Sequence, residues 1–186
     1  GRHMETYITT TVDLAAAGKV AAMVTAPINK EALKTGGSRY TGHTELIADR
    51  VGCSRYAMML AGDRLRVVLV TIHIPLKKVP EALTREKVRA TLEITAESLI
   101  SRFGIPSPRI AVAGLNPHAG ENGLFGDEET QTIIPAMKAA ADATSAAIKG
   151  PFPPDTVFVA AAEGRFEAVV CMYHDQGLIP LKLLHF

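Results

Sequence analysis

Tryptophan is absent from this 186-residue sequence, and aromatic residues of all kinds make up only 5% of it. An excess of charge is also missing, because 20 Lys and Arg residues stand against 19 Asp and Glu residues. Nucleic-acid-binding proteins usually show a basic patch, often with interleaved aromatic side chains, and no such stretch is present. No apolar run approaches the roughly 20 residues that a membrane-spanning helix needs. The sequence therefore predicts neither a nucleic-acid partner nor a membrane partner.

Cysteine is scarce as well, since Cys53 and Cys171 are the only two and form no CxxC pair. A disulfide framework is therefore not expected, and a reducing cytoplasm is the predicted compartment. Both cysteines are expected to act as small core residues. The segment at residues 1–4 (GRHM) resembles the remnant of an expression tag, so we exclude it, with His3, from any site.

Apolar, β-branched runs alternate with helical patterns along the chain. Continuous runs are typical of strands that are covered on both faces, and they occur at residues 21–24, 67–72, 110–115 and 168–173, with a weaker candidate at 156–159. Helical patterns lie between them, at residues 9–17, 29–34, 43–51, 84–103 and 128–148. In the last of these, Pro135 predicts a kink or a late helix start. This alternation predicts an α/β fold in α/β/α layers around a largely parallel sheet.

The sequence ends in an apolar segment, residues 183–186. It follows a stretch containing Gly177 and Pro180 that we expect to be a loop. An apolar run without a closing element predicts a piece of a longer protein.

Three histidines share a position relative to the predicted strands. His73 and His174 directly follow apolar runs, and His118 comes shortly after another. Because the carboxyl ends of strands form the ligand crevice of open α/β sheets, these side chains could converge there. Neutral imidazole is a common ligand for Zn, Co and Ni. The distant spacing is unlike that of a zinc finger, so the pattern leaves open a shared metal site or three separate loop histidines.

The segment at residues 42–45 opens a predicted helix. Free backbone N–H groups and the positive end of the helix dipole favour a phosphate or carboxylate there, and His43 and Thr44 could add donors. An ordinary helix start explains the same residues, with Thr41 or Thr44 as the cap and Glu45 in the first turn. From these few residues alone, the ordinary start is the better interpretation.

Two polar segments nearer the end of the sequence are further candidates. The segment at residues 150–156 contains three prolines and presents Asp155 at its end. This segment is interpreted either as part of a ligand-binding site or as a rigid linker in which Asp155 caps the next helix. In the second segment, His174, Asp175 and Gln176 could all bond a polar ligand. Lys182 follows on the same stretch, and by itself it is typical of a solvated lysine.

Five motifs together resemble one enzyme family, the 4-hydroxythreonine-4-phosphate dehydrogenases. They occur in the family's order and are, in this sequence, TAPINK at 25–30, YTGHTE at 40–45, GLNPHAGE at 114–121, GPFPPDT at 150–156 and MYHDQGL at 172–178. The resemblance runs from about residue 20 to the last residue. It extends to relatives that act on 4-phospho-D-threonate or on cyclic diol acids, so the motifs identify the superfamily better than the substrate.

The resemblance implies a role for each candidate residue. His73, His118 and His174 match the family's divalent-metal ligands. The positions that match substrate-binding residues are His43, Thr44, Asp155 and Lys182. Asp175 and Lys182 are the candidate catalytic residues, although a bound water is an equal candidate for accepting the substrate proton.

The resemblance also implies a reaction and a fold. The expected reaction is NAD(P)-dependent oxidation of 4-phosphohydroxy-L-threonine, a phosphorylated hydroxy-amino acid. Decarboxylation then gives 3-amino-2-oxopropyl phosphate, in pyridoxal 5′-phosphate biosynthesis. The metal is expected to be zinc, with magnesium or cobalt as alternatives. The implied fold is isocitrate/isopropylmalate dehydrogenase-like, in a homodimer whose active site is completed across the subunit interface.

The sequence departs from the family at both ends. The family's N-terminal Gly-Asp-Pro-type loop is absent, and so is a C-terminal stretch that carries an Asn and an Arg. We therefore expect residues 5–186 to form the metal/substrate-binding and dimerisation domain, with a short part of the neighbouring cofactor-side domain. Such a chain, cut short at both ends, is expected to be inactive alone. The rivals are a non-catalytic dimerisation or phosphate-binding module and a metal-dependent aldolase or decarboxylase.

Overall fold

A computed structural model describes residues 2–40 and 42–186, without the side chain of Arg2. Thr41, one of the two candidate helix caps, lies outside the described residues, as does Gly1 of the GRHM segment. The chain divides into two compact units, Gly1–Tyr56 and Ala57–Phe186. Among the described residues, no helix has the length and apolarity that crossing a membrane requires.

The first unit is helical. Its helices are α1 (Arg2–Ala16), α2 (Lys30–Thr35) and α3 (His43–Arg50). The three helices predicted in this region are present, but α1 begins at Arg2, seven residues before the predicted start and inside the GRHM segment. Asn29 caps α2 by accepting a hydrogen bond from the Ala32 N–H at 2.8 Å. The small core of this unit contains Ile8, Val12 and Leu46.

The strand predicted at residues 21–24 is wrong, since this segment is irregular. Val24 is 94% exposed, so the run is not covered as a buried strand would be. A run of four apolar residues carries too little periodicity to separate a strand from an irregular segment. Cys53 is also exposed, which corrects the expectation that both cysteines are core residues, whereas Cys171 is buried.

The second unit is built on a five-stranded sheet with the order β1-β2-β5-β3-β4. The strands are β1 (Met58–Ala61), β2 (Arg66–Leu69), β3 (Arg109–Ala113), β4 (Ala147–Phe152) and β5 (Ala168–Cys171). Only the pairing of β1 with β2 is antiparallel, while β2, β5, β3 and β4 run parallel to one another. The carboxyl ends of β2, β5 and β3 therefore lie side by side along one edge of the sheet.

Helices follow the strands in sequence. They are α4 (Val79–Ala82), α5 (Arg85–Ser101), α6 (Ile134–Ala143), α7 (Val157–Ala162) and α8 (His174–His185). Three short turns complete the unit, namely 3-10 turns at Leu76–Lys78 and Pro117–Gly123 and a π turn at Glu129–Ile133. Helix α5 shows how the sequence specifies a helix: the Thr84 side chain caps it by accepting from the Lys87 N–H at 3.2 Å. Its buried face includes Val88 and Leu92.

Each face of the sheet packs against its own core. Val68, Val112 and Val170 point to the side that α5 and α6 cover. Their neighbours Val67 and Val169 point to the opposite side, together with apolar residues of α7 and α8. Because side chains alternate along a strand, a strand buried on both faces is apolar at every position. This arrangement confirms the predicted α/β/α layers and the largely parallel sheet.

Several predicted elements differ from the structure. The predicted strand at residues 156–159 is largely helix α7, and the predicted 128–148 helix ends at Ala143, with only its last two residues inside β4. Pro135 lies in the first turn of α6, so the α-helix starts late as predicted, but it directly continues the π turn at Glu129–Ile133. The stretch expected to be a loop after His174 is helix α8, which contains both Gly177 and Pro180.

Candidate functional site

Two of the three strand-exit histidines lie next to each other in the second unit. His73 follows the end of β2 and His174 begins α8 directly after β5, so the parallel pairing of these strands brings both to one edge. Their ring centroids are 5.4 Å apart, with the planes tilted by 46°. Both rings line a cavity of about 260 Å³, and Tyr173 and Asp175 are also part of its lining.

The geometry of this histidine pair fits a shared metal ion. An imidazole nitrogen binds zinc at about 2.0–2.1 Å, so each ring centroid lies about 3.2 Å from the ion, and two rings at tetrahedral positions lie about 5.2 Å apart. The observed separation of 5.4 Å between the rings of His73 and His174 agrees with this value. The separation is therefore compatible with two ligands of one divalent cation, and it also lies within the 4.5–7 Å range of an ordinary ring contact.

Asp175 orients one of the two rings. Its Oδ1 lies 2.7 Å from Nδ1 of His174. A carboxylate at Nδ1 favours the tautomer with the proton on that nitrogen, which leaves Nε2 available as a ligand. Metal-binding histidines commonly have such a carboxylate partner. Burial, together with Cys171 and Asp175 nearby, raises the pKa of Tyr173, so this cavity-lining phenol stays protonated at neutral pH.

The third histidine, His118, lies on an unusual turn. His118, Ala119, Glu121 and Asn122 all have positive φ angles, of 51°, 54°, 43° and 56°, with Gly120 at 85° between them. Left-handed backbone costs a non-glycine residue about 1–2 kcal/mol, so a run of four such residues needs strong local support. The His118 ring is exposed and lies 6.1 Å from the ring of Phe125.

The structure does not gather all three histidines within one chain. Among residues 2–40 and 42–186, no group of three or more His, Cys, Asp or Glu side chains is arranged to hold a metal ion. The cavity at His73 and His174 has neither His118, Asp155 nor Lys182 in its lining. The metal role of His118 therefore stays a prediction.

Asp155 and Lys182 are both exposed. Asp155 precedes α7, whose N-cap is Thr156 and has no side-chain capping bond, so the alternative reading of Asp155 as a helix cap is wrong. Lys182 lies in the last turn of α8, roughly 12 Å along the helix axis from His174 at 1.5 Å per residue. Neither side chain is fixed by a role within the fold.

Two buried side chains join the strand ends: Thr71, which the sequence did not single out, and Gln176, which was expected to bond a polar ligand but bonds backbone groups instead. Thr71 donates a hydrogen bond from its hydroxyl to the Met172 carbonyl at 2.7 Å, which ties the exit of β2 to that of β5. The Gln176 carboxamide accepts from the Met172 N–H at 2.7 Å and donates to the Gly114 carbonyl at 2.7 Å, which ties β5 to β3. Both side chains are buried, at 2% and 6% exposure.

Glu129 is a further buried polar residue near the same edge, at 2% exposure. Its carboxylate accepts hydrogen bonds from the backbone N–H groups of Leu115 and Asn116, at 2.7 and 2.8 Å. In the sequence it follows Asp127 and Glu128 at the start of an expected helix, where acidic residues are ordinarily solvated. Only the structure shows that it is enclosed.

Glycine at position 177 lets α8 approach the sheet. A Cβ placed there would lie 3.0 Å from Sγ of Cys171 and 3.1 Å from Cδ2 of Leu69. These distances are tighter than ordinary side-chain contacts, so a larger residue would push α8 away from β5 and β2. Since His174 begins this helix, Gly177 contributes to the position of the His174 ring.

His43 lies in the first unit, at the start of α3. The helix N-cap is Gly42 and it has no side-chain capping bond, so Thr44, an exposed residue inside the helix, is not the cap. Nε2 of His43 is buried and has no hydrogen-bond partner among the described residues. His43 lines a cavity of about 210 Å³ together with Thr25 and other residues of the TAPINK segment. Two of the five motifs thus meet at one cavity with an unused polar nitrogen.

Comparison with known proteins gives consistent matches. The family described as "Pyridoxal phosphate biosynthetic protein PdxA" matches residues 1–186. A 4-hydroxythreonine-4-phosphate dehydrogenase from Desulfosudis oleivorans is 66% identical over 186 residues, which are 100% of this chain and 55% of that protein. A D-threonate 4-phosphate dehydrogenase from Pectobacterium atrosepticum is 52% identical over 173 residues, 93% of this chain and 52% of that protein. The chain thus spans about half the length of these curated relatives.

A solved structure agrees with the sequence comparison. The crystal structure of 4-hydroxythreonine-4-phosphate dehydrogenase from Klebsiella pneumoniae matches with a TM-score of 0.85 at 49% identity. The match covers 96% of this chain and 54% of that one. Fold and sequence therefore point to the same group of proteins.

Proposed function

Because this chain belongs to the PdxA family of pyridoxal phosphate biosynthetic proteins, we propose that it forms the metal- and substrate-binding part of an NAD(P)-dependent dehydrogenase. The proposed reaction is oxidation of the C3 hydroxyl of 4-phosphohydroxy-L-threonine, with hydride passing to NAD(P)+. Loss of CO2 then gives 3-amino-2-oxopropyl phosphate. The observation that carries this proposal is the His73–His174 pair, with ring centroids 5.4 Å apart at a cavity edge.

His73 and His174 would hold a divalent cation, and His118 is the proposed third ligand. Three imidazoles with one open position suit zinc best, and magnesium and cobalt are the alternatives. The chemistry that such a cation supplies is to lower the pKa of a substrate hydroxyl and to offset the negative charge that develops there. Since His118 does not line the cavity, we propose that the site is completed in a homodimer.

Four residues are proposed to contact the substrate: His43, Thr44 and Lys182 as donors to its phosphate and carboxylate, and Asp155 as an acceptor for its amino or hydroxyl group. The buried, unpartnered Nε2 of His43 supports a substrate contact at that residue. Thr44 is proposed to donate from its hydroxyl, and the backbone N–H groups in the first turn of α3 are proposed to donate as well. Lys182 and Asp155 are exposed and therefore free to contact substrate in a dimer.

The substrate hydroxyl must lose a proton while C3 loses a hydride. Asp175 is the proposed acceptor because its carboxylate lines the same cavity as both histidines. Its hydrogen bond to His174 gives an alternative in which Asp175 only orients that ring and Lys182 or a water takes the proton. A cytoplasmic location is proposed as well, since both cysteines are free thiols.

The test uses a full-length chain that contains these residues. We expect His73→Ala and His174→Ala to lose bound metal by elemental analysis and to lose NAD(P)+ reduction with 4-phosphohydroxy-L-threonine. His43→Ala is the matched control, because it should keep the metal while raising the KM for substrate. Full metal occupancy in both His73→Ala and His174→Ala would contradict the proposed site.

A second substrate is supported by the D-threonate 4-phosphate dehydrogenase at 52% identity. The two candidate substrates share a phosphate and an oxidisable hydroxyl, so the same histidine pair could serve either. Measuring kcat/KM for 4-phosphohydroxy-L-threonine and for 4-phospho-D-threonate, each with NAD+ and with NADP+, separates them. A higher value for the D-threonate substrate would overturn the first assignment and leave the dehydrogenase class intact.

A further inference from the structure

The turn that carries His118 is wrapped around the carboxylate of Glu129. Oε1 accepts from the N–H groups of Leu115 and Asn116, and Oε2 accepts from Nδ2 of Asn116 at 3.0 Å. All three partners are N–H donors, and both oxygens of a carboxylate can accept hydrogen bonds from them. A glutamine would place its own NH2 group against one of them, because only one of its two terminal atoms accepts.

The backbone of the turn also passes close to this carboxylate. A Cβ at Gly120 would lie 2.8 Å from Oε2 of Glu129, so only a glycine fits there. The Gly120 carbonyl accepts a hydrogen bond from the Phe125 N–H at 3.2 Å. The Phe125 ring in turn lies 6.1 Å from the His118 ring. A continuous set of contacts therefore runs from the carboxylate through the turn to the imidazole.

This turn needs such support because of its backbone. Four non-glycine residues between positions 118 and 122 have left-handed φ angles. Conformations of this kind persist only where the surrounding structure determines them. Glu129 begins a π turn, an irregularity that proteins often place at functional sites.

We propose that Glu129 is a positioning residue for His118. The buried carboxylate of Glu129 holds the left-handed turn in the shape that orients the His118 imidazole. The contribution of His118 to a metal site rests on the function proposed above. The position of the His118 ring does not depend on that proposed function. The effect of Glu129 on the ring position and the metal role of His118 are therefore tested by separate measurements.

The first measurement follows the ring itself in metal-free, full-length protein. Histidine labelled with 13C at Cε1 gives one NMR signal per ring, and His118→Ala assigns the signal of interest. Its chemical shift should respond to the nearby Phe125 ring. We expect Glu129→Gln to move the His118 signal away from its position beside the Phe125 ring and to broaden it. Glu128→Gln is the matched control, because Glu128 accepts a hydrogen bond from the Asn116 side chain at 2.7 Å, whereas Glu129 also accepts from backbone N–H groups.

The second measurement follows Co2+ binding by its visible absorption. We expect Glu129→Gln to weaken Co2+ binding about 10- to 100-fold, the range for residues that orient metal ligands. In a His118→Ala background the same substitution should add nothing, because the effect passes through that ring. A purely structural defect would weaken binding in both backgrounds.

The outcomes separate cleanly. An unchanged His118 NMR signal in Glu129→Gln, or equal effects of Glu129→Gln and Glu128→Gln, would overturn the inference. Additive loss of Co2+ affinity in the His118→Ala background would overturn it too. If His118→Ala binds Co2+ as tightly as the unmodified protein, the proposed ligand role fails, and the NMR signal alone then decides the role of Glu129.

Discussion

The side chain of Gln176 is hydrogen-bonded to the backbone of Gly114, with Nε2 donating to the carbonyl oxygen at 2.7 Å. This bond is buried and joins the start of α8 to the end of β3, two segments far apart in sequence. The same carboxamide accepts from the Met172 N–H. One side chain thus sets the spacing between the segment that carries His174 and the segment that leads to His118.

Replacing Gln176 with leucine should therefore be costly. Gln176→Leu leaves the Gly114 carbonyl and the Met172 N–H without these partners, and each unsatisfied buried group costs about 1–3 kcal/mol. We expect the free energy of unfolding, measured by urea denaturation, to fall by about 2–4 kcal/mol. Gln131→Leu is the control at an exposed position, where the change should stay within about 0.5 kcal/mol. Equal stability of the two variants would contradict the structural role of Gln176.

Asp175 should affect metal affinity through His174. Asp175→Asn keeps the size of the side chain but removes the charge that favours the Nδ1–H tautomer. We expect Zn2+ affinity, measured by competition with a chromogenic chelator, to fall about 10- to 100-fold. Asp142→Asn, at an exposed position on α6, should leave the affinity unchanged. If both variants bind Zn2+ like the unmodified protein, Asp175 does not orient a metal ligand.

Glu167 lies at the end of the sheet opposite the histidines, and its ionisation should make the stability of the fold depend on pH. Burial opposes ionisation of its carboxyl, but hydrogen bonds from the Arg109 side chain and backbone outweigh burial and hold the pKa of Glu167 below its ordinary 4.5. A carboxyl whose pKa is lowered in the folded state stabilises the fold at pH values above its ordinary pKa. This stabilisation is lost as the pH falls through the lowered pKa.

Glu167→Gln should accordingly be less stable than the unmodified protein at neutral pH. The difference in unfolding free energy should shrink as the pH falls below about 4.5. Glu163→Gln removes the exposed Arg165 pair instead and should change little at any pH. A stability gap for Glu167→Gln that is independent of pH would show that the ionised carboxylate is not responsible.

The two cysteines should differ sharply in reactivity. Cys171 is fully buried on β5, and burial raises the pKa of its thiol, so it presents almost no thiolate to reagents. Cys53 is exposed. We expect iodoacetamide to modify Cys53 alone in the native protein and both cysteines in urea, as read by mass spectrometry of peptides. Native-state labelling of Cys171 would indicate that β5 opens readily.

The continuous apolar runs predicted the central strands correctly because those strands are covered on both faces. Val67 and Val68 face opposite cores, and no polar residue interrupts the pattern. The edge strand β4 escaped prediction because Gly150 and Pro151 interrupt it, and both are ordinarily strand breakers. A Cβ at Gly150 would lie 2.5 Å from the Val112 carbonyl, which explains the glycine only once the pairing is known.

The candidate site was predictable only in part for the same reason. Strand order places His73 beside His174, and the sequence pattern anticipated that both follow strands. Gly177 and Pro180 suggested a loop where α8 lies, because the close approach of Gly177 to the sheet is a tertiary contact. Glu129 gave no signal, since a glutamate that accepts backbone N–H groups in the interior looks like a solvated one in sequence.

The pairing of β2 with β5 fixes the order in which the histidine pair can form. Four helices and two strands lie between these neighbours in sequence, so their contact must wait until β5 has left the ribosome. Such long-range pairing also makes folding slow relative to locally connected elements. A nascent chain that stops before β5 would expose the apolar edge of β2, which favours aggregation, and would lack half of the histidine pair.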